Sequence, residues 1–343
     1  MIAAVYRGKE DIQVRDISTP VLNDGEIAIR VRSVGVCPTD VKAFYNGSGS
    51  ISAPRIIGHE VSGEVTESKS PLFRPGQRVN VAADCPCMKC RMCLRGYHNM
   101  CMNLKSLGIN VDGAYAEVMR VPAEYIDRQM VVELNDSISF DEGALIEPVA
   151  VSLHSIQLSR PLRGNSMIIG DGPNALIHLQ LLKRVFKSEN VVVLGLSDKR
   201  LRAAESLGAD GVVNVQTESE KLKSFREDNY DLIDITIGNA DAVKEAFEFS
   251  GAGTSIVIFG GSTADSVLPV TMNQVHYKQL TVTGSTGTSL ENYIKAAGIV
   301  NSGVLNLKSI VSAEFPLSEI HSALEYSKQM SGLKAVVHPA PIV

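Results

Sequence analysis

The sequence predicts an α/β chain in which a β-rich domain is interrupted by a doubly wound parallel-sheet domain. Three observations carry that expectation. Up to about residue 150 the chain reads as short strands and turns, punctuated by Gly and Pro. From about residue 165 short apolar runs alternate with helical segments. The tail, "SLENYIKAAGIVNSGVLN" and then "FPLSEIHSALEYSKQM", is helical with a break and is expected to rejoin the first domain. The expected division is 1–151 with 284–343, enclosing 152–283.

In the first part, "EIAIRVRSV" (26–34) alternates Ile27, Ile29 and Val31 against Ala28, Arg30 and Arg32, the pattern of a half-buried strand. "RVNVAA" and "AYAEVMRVP" are further strand candidates. In the second part, "SMIIG" leads into the helical "PNALIHLQLLKRVF", then "NVVVLG" and "DKRLRAAESLG". "DGVVNV", "YDLIDITIG", "SIVIFGG" and "LTVTGS" continue the series. Continuous apolar strands separated by helices argue a parallel sheet covered on both faces.

The 343 residues suffice for two domains with substantial cores. A net charge of −5 and a pI near 5.9 give no electrostatic ground for binding nucleic acid or an anionic membrane. The start, "MIAAVYRGKEDIQV", lacks the apolar core of a signal peptide, and no apolar run has the length of a membrane span. A cytoplasmic protein is expected, its thiols reduced or metal-bound.

Five of the six cysteines lie in "DCPCMKCRMCLRGYHNMC" (84–101). Cys87, Cys90, Cys93 and Cys101 form C-x2-C-x2-C-x7-C, and four thiolates so spaced can close around one structural zinc. An iron–sulfur cluster uses similar spacing. A hydrophilic loop offers no core in which to bury four free thiols. Cys85 reads as a spare thiol.

"GDGPNA" follows an apolar strand and matches G-x-G-x-x-G/A through Gly170, Gly172 and Ala175. Gly170 permits the turn, and Gly172 lets a pyrophosphate approach the backbone. Pro173 suits the first helical turn, followed by Asn174, where the free amides favour phosphate. Such a motif alone describes any tight turn; in a strand-turn-helix-strand frame it reads as a dinucleotide site. The second strand of such a site normally ends in Asp or Glu, which bonds the ribose 2′-OH. Here it ends in Gly195, followed by Ser197, Lys199 and Arg200. Loss of the carboxylate and gain of two cations favour NADP, with NAD possible. The two cations also fit a solvated helix face, and Asp198 lies close enough in sequence to weaken the case.

Cys37 in "GVCPTD" and His59–Glu60 in "GHEVSGEV" offer thiolate, imidazole and carboxylate. Three such ligands suit zinc with an open position, although a lone Cys or His is usually a core residue. Glu147 in the apolar "GALIEPVAV" needs a partner, either a metal or an arginine.

These motifs, taken in order with "ALIEPVAVSLH" and "LTVTGS", resemble the zinc-containing medium-chain dehydrogenases over essentially the whole chain. Glu147 resembles the polyol (sorbitol-type) branch. The resemblance implies a GroES-like catalytic domain, with a structural-zinc lobe at 84–101, and a Rossmann domain. It implies catalytic zinc on Cys37, His59 and Glu60, with Glu147 a direct or water-mediated fourth partner, and Thr39 as proton relay. Two zinc ions per chain follow. The usual C-G-[ST]-D is C-P-T-D here, so Pro38 is expected to stiffen the loop. A relay histidine common three residues after Thr39 is replaced by Lys42. The implied reaction is hydride transfer between a sugar, polyol or related secondary alcohol and a nicotinamide cofactor. The alternatives are aldose 1-dehydrogenase activity or a non-catalytic zinc and nucleotide-binding role. A homodimer or homotetramer is expected.

Overall fold

A computed structural model describes residues 1–159, 163–225, 230–262, 266–268, 270–330 and 332–339. The chain forms two compact units, Met1–Ala150 with Thr288–Val343, and Val151–Gly287. The return to the first unit therefore falls four residues later than the expected boundary at 284.

The first unit is built on a seven-stranded sheet. Six strands lie in the order Val131–Glu133, Arg78–Val81, Glu60–Ser68, Ile27–Gly35, Lys334–His338 and Val311–Pro316, and Val118–Val121 also pairs with Ile27–Gly35. Ile27, Ile29 and Val31 are fully buried, as the alternation required, while Arg30 is exposed. Ala28 and Ser33 are buried too. The strand is central, so it packs on more than one side. The tail forms the expected helices, Leu290–Asn301 and Ile320–Gln329, and adds two strands that the reading did not include. Val311–Pro316 and Lys334–His338 run parallel, with the helix Ile320–Gln329 between them in sequence. That crossover brings Lys334 to the edge of the strand Ile27–Gly35, where Val336 pairs with Gly35.

In the second unit six strands form one parallel sheet, in the order Gly211–Asn214, Val191–Gly195, Ser166–Ile169, Leu232–Ile235, Ser255–Ile258 and Thr281–Gly284. In chain order this is 3-2-1-4-5-6, the doubly wound arrangement of dinucleotide-binding sheets. Met167, Leu194, Val213, Ile233 and Phe247 belong to its buried core. The helix Pro173–Gln180 starts directly behind the glycine turn, and its continuation Leu181–Phe186 widens into a π turn that Lys187 ends in a left-handed conformation. Gly208, with φ of 107°, closes the helix Asp198–Leu207 in the same way.

Candidate active site

Cys37 is the N-cap of the helix Pro38–Asn46. Pro38 is thus the first helical residue, where no intrahelical N–H is lost, and it opens a helix rather than stiffening a loop. The Cys37 N–H donates to Asp40 Oδ2 at 3.1 Å. Asp40 is buried, accepts the Tyr115 hydroxyl at 3.0 Å, and lies 3.7 Å from His59 Nδ1. This carboxylate therefore holds the Cys37 backbone and lies within ion-pair range of His59. Thr39 and Lys42 take exposed positions on this helix.

His59 stands just before the strand Glu60–Ser68, after Gly58, whose φ is 93°. Neighbouring side chains diverge on a regular strand, so this turn is what lets His59 and Glu60 converge. A β-carbon on Gly58 would meet the Tyr115 ring at 3.0 Å. Cys37, His59 and Glu60 each place one donor atom within 4.8 Å of the others. Glu60 is already engaged, because Lys334 Nζ donates to its two oxygens at 2.7 and 2.8 Å. Glu147 lies in the first turn of the helix Ile146–Leu158 and is outside that three-donor group. It interacts electrostatically with His59, Glu60 and Lys334, so its neighbouring cation is a lysine rather than the arginine considered from sequence.

Burial opposes protonation of His59, but the Cys37 thiolate and the Asp40 carboxylate outweigh it and hold the ring pKa well above its usual value. Burial pushes Glu147 up to about 7, helped by Glu60 and opposed by His59 and Lys334. Burial likewise raises Asp40 and Asp84. Acidic groups thus outnumber the cations His59 and Lys334 in this buried region. A divalent cation relieves such a surplus, and thiolate with imidazole and carboxylate suits zinc. The donor set fits the metal.

In the lobe, the sulfurs of Cys87, Cys90, Cys93 and Cys101 all lie within 4.8 Å of one another. Cys90 Sγ is 3.5 Å from Cys93 Sγ and 3.9 Å from Cys101 Sγ. Four sulfurs about 2.3 Å from a tetrahedral zinc stand about 3.8 Å apart. The N–H groups of Cys87 and Asn103 donate to Cys101 Sγ at 3.2 and 3.3 Å. Backbone donors, Cys93 first, lower Cys90 to about 6, whereas burial, with the bonds to Cys90 and Cys101, pushes Cys93 up to about 12. Cys85 is apart from this group, its sulfur contacted by Arg128 Nη1 at 3.4 Å.

In the second unit Gly172 caps the helix Pro173–Gln180, followed by Pro173 and Asn174. A β-carbon on Gly172 would meet nothing within 4 Å, so the approach to the turn beside Gly170 is open, as a pyrophosphate requires. The expected carboxylate-free strand end is not what the structure presents. Asp171 Oδ2 accepts the N–H groups of Leu196 and Ser197, each at 2.8 Å, beside Gly195. Arg200 is buried, with Nη1 3.4 Å from Asp171 Oδ1, while Lys199 is exposed. One of the two cations that favoured NADP therefore already faces a carboxylate.

Asp40, Lys334 and Asp171 were absent from the sequence-based site. Asp40, three residues beyond Cys37, has the spacing of a capping residue. Lys334, at the head of the apolar run "KAVVH", shows the same anomaly of a charge among buried residues that singled out Glu147. Asp171 lies inside the glycine motif but acts through space. No helix among the described residues is long and apolar enough to cross a membrane.

Residues 23–132 match the family model described as the alcohol dehydrogenase GroES-like domain, and 175–302 match that of zinc-binding dehydrogenase. An uncharacterized zinc-type alcohol dehydrogenase-like protein of Escherichia coli K12, YdjJ, is 31% identical over 338 residues, covering 94% of each chain. A sorbitol dehydrogenase of Bacillus subtilis strain 168 is 28% identical over 351 residues, covering 99% of this chain and 97% of the relative. A crystal structure of a putative zinc-binding dehydrogenase from Sinorhizobium meliloti 1021, bound to NADP, superposes with a TM-score of 0.91 at 25% identity, covering 98% of this chain and 99% of that one.

Proposed function

The chain belongs to the zinc-containing medium-chain dehydrogenases, with polyol dehydrogenases among its relatives, and from that premise we propose that it oxidises a secondary alcohol of the sugar or polyol class. The observation that carries the reading is the buried surplus of acid around Cys37 and His59, which calls for a metal. When bound, zinc acts as a Lewis acid on the alcohol oxygen and the nicotinamide takes up the hydride.

The protein's own residues have separable tasks. Cys37 and His59 hold the metal, with Asp40 holding the Cys37 backbone and lying within ion-pair range of His59. Glu60 is a shared group, turned between the metal donors and Lys334. Glu147 completes the anionic lining and tunes how firmly the metal is held. The Thr39 hydroxyl, at an exposed position of its helix, passes the alcohol proton outward to solvent water. The four cysteines of the lobe hold a second, structural zinc. In the other unit the turn at Gly170–Gly172 binds the pyrophosphate of a nicotinamide dinucleotide. The charge argument for NADP loses force here, because Asp171 and Arg200 face each other at the strand end. The proposed setting is the cytoplasm, and the proposed assembly a homodimer or homotetramer.

A screen of sugars, polyols and amino-alcohols with NAD and with NADP tests the substrate class. Cofactor reduction by at least one polyol or sugar, lost on zinc chelation, is expected. Turnover confined to primary alcohols or amino-alcohols would reject the sugar and polyol class.

A further inference from the structure

We propose that Asp171, in the glycine turn, takes over the task of the missing strand-end acid and makes NAD the preferred dinucleotide. The inference presupposes that the turn at 170–175 holds a dinucleotide.

In this fold the residue ending the second strand normally supplies the carboxylate that bonds the ribose 2′-OH. Residue 195 is glycine and supplies none. A β-carbon built on Gly195 would nevertheless fall 2.6 Å from Asp171 Cβ and 2.7 Å from its Oδ2. The carboxyl group of Asp171 fills the volume a side chain at 195 would enter. Glycine at 195 and aspartate at 171 are therefore one arrangement, in which the acid has moved from the strand to the turn.

The carboxylate is fixed where it stands. Its Oδ2 takes two backbone N–H bonds, from Leu196 and Ser197, at 2.8 Å each. Its Oδ1 faces Arg200 Nη1 at 3.4 Å, and the side chain keeps 12% exposure. A carboxylate oxygen can accept a further hydrogen bond, and a ribose hydroxyl can donate one. A 2′-phosphate has the same charge sign and is repelled.

The neighbourhood does not compensate. The amides of Leu196 and Ser197 precede the helix Asp198–Leu207, where backbone donors and the helix dipole would otherwise attract phosphate. Both already donate to Asp171. Arg200 is 9% exposed and directed at the same carboxylate. Lys199 is exposed, but Asp198 beside it carries the opposite charge and accepts from Asn214 Nδ2 at 2.6 Å.

Equilibrium titration of the zinc-loaded protein with NADH and with NADPH, followed by nucleotide fluorescence or calorimetry, reads the preference without turnover. NADH is expected to bind at least about tenfold more tightly. In Asp171→Asn, which keeps the size and an acceptor oxygen but removes the charge, that ratio should fall by about tenfold. Tighter binding of NADPH by the wild-type protein would overturn the proposal, whether or not the variant folds. So would an unchanged ratio in a folded Asp171→Asn protein. Failure of both nucleotides to bind would instead overturn the dinucleotide reading on which the proposal rests.

Discussion

Lys334 clamps Glu60: its ammonium donates to both carboxylate oxygens, at 2.7 and 2.8 Å, and reaches the carbonyl of Val36 at 3.3 Å. Both side chains are almost wholly buried. Removing one partner strands the other charge away from water, which typically costs about 3–5 kcal/mol. Lys334→Met should lower unfolding free energy on that scale, as measured by denaturant titration. It should also change zinc affinity, because Glu60 is then released toward Cys37 and His59. A variant as stable as wild type, with the same zinc affinity, would show that the clamp does neither.

Glu147 carries a different expectation. It lies outside the group formed by Cys37, His59 and Glu60 but interacts with two of those residues. Loss of an outer partner of a metal site commonly costs about 10- to 100-fold in affinity or activity. Glu147→Gln should lower turnover within that range and weaken zinc binding, measured by steady-state kinetics and competition with a chelator. Unchanged kinetics would leave a carboxylate with only a structural part.

Gly195→Asp would introduce a strand-end acid, the obvious route to altered cofactor choice. The volume is occupied by Asp171, so the substitution should instead destabilise the nucleotide unit by about 1–3 kcal/mol through overpacking. Thermal melting of Gly195→Asp and Gly195→Ala tests this. Wild-type melting temperatures in both would contradict the packing argument.

His338 and Asp141 provide a pH-dependent test. His338 Nε2 is 2.8 Å from Asp141 Oδ1. That bond to Asp141, first among the causes, raises the histidine pKa above 6.5. Burial works against the carboxylate, but the bond from His338 lowers Asp141 below 3.8. A raised histidine pKa stabilises fully below its unfolded value and loses that contribution as pH rises through the folded one. A lowered carboxylate pKa stabilises above its unfolded value and loses that contribution as pH falls through the folded one. His338→Gln should therefore cost about 1 kcal/mol near pH 5–6 and less by pH 9. A cost that does not change with pH would assign the contact to packing.

The parts of the site legible in sequence are those whose chemistry is local. Four cysteines in one short segment announce their own cluster, and they do gather. "GDGPNA" sits between a strand and a helix as its spacing requires. The alternation in 26–34 marks a strand, although pairing with several neighbours buries more of it than alternation alone indicates. Contacts between distant segments were not legible. Lys334 reaches Glu60 across 274 positions, and the strand that carries it follows a tail that reads as helix. Asp171 reaches the residues after Gly195 across the top of two neighbouring strands, so the missing acid at 195 was visible while its replacement was not. Pro38 misleads for a related reason, because proline suits a loop and a first helical turn equally well.

The two proposed metal sites differ in kind, one a group of four cysteines and one built from Cys37, His59 and nearby carboxylates. Zinc bound per chain, measured by elemental analysis in wild type, Cys37→Ser and Cys93→Ser, tests that distinction most directly. Two ions are expected in wild type. Cys37→Ser should retain one, keep its fold and lose hydride transfer. Cys93→Ser should lose stability or solubility along with its lobe zinc, because a closed site contributes folding free energy. A wild-type chain that oxidises its alcohol without zinc, or a Cys37→Ser chain with full zinc and full turnover, would contradict the assignment.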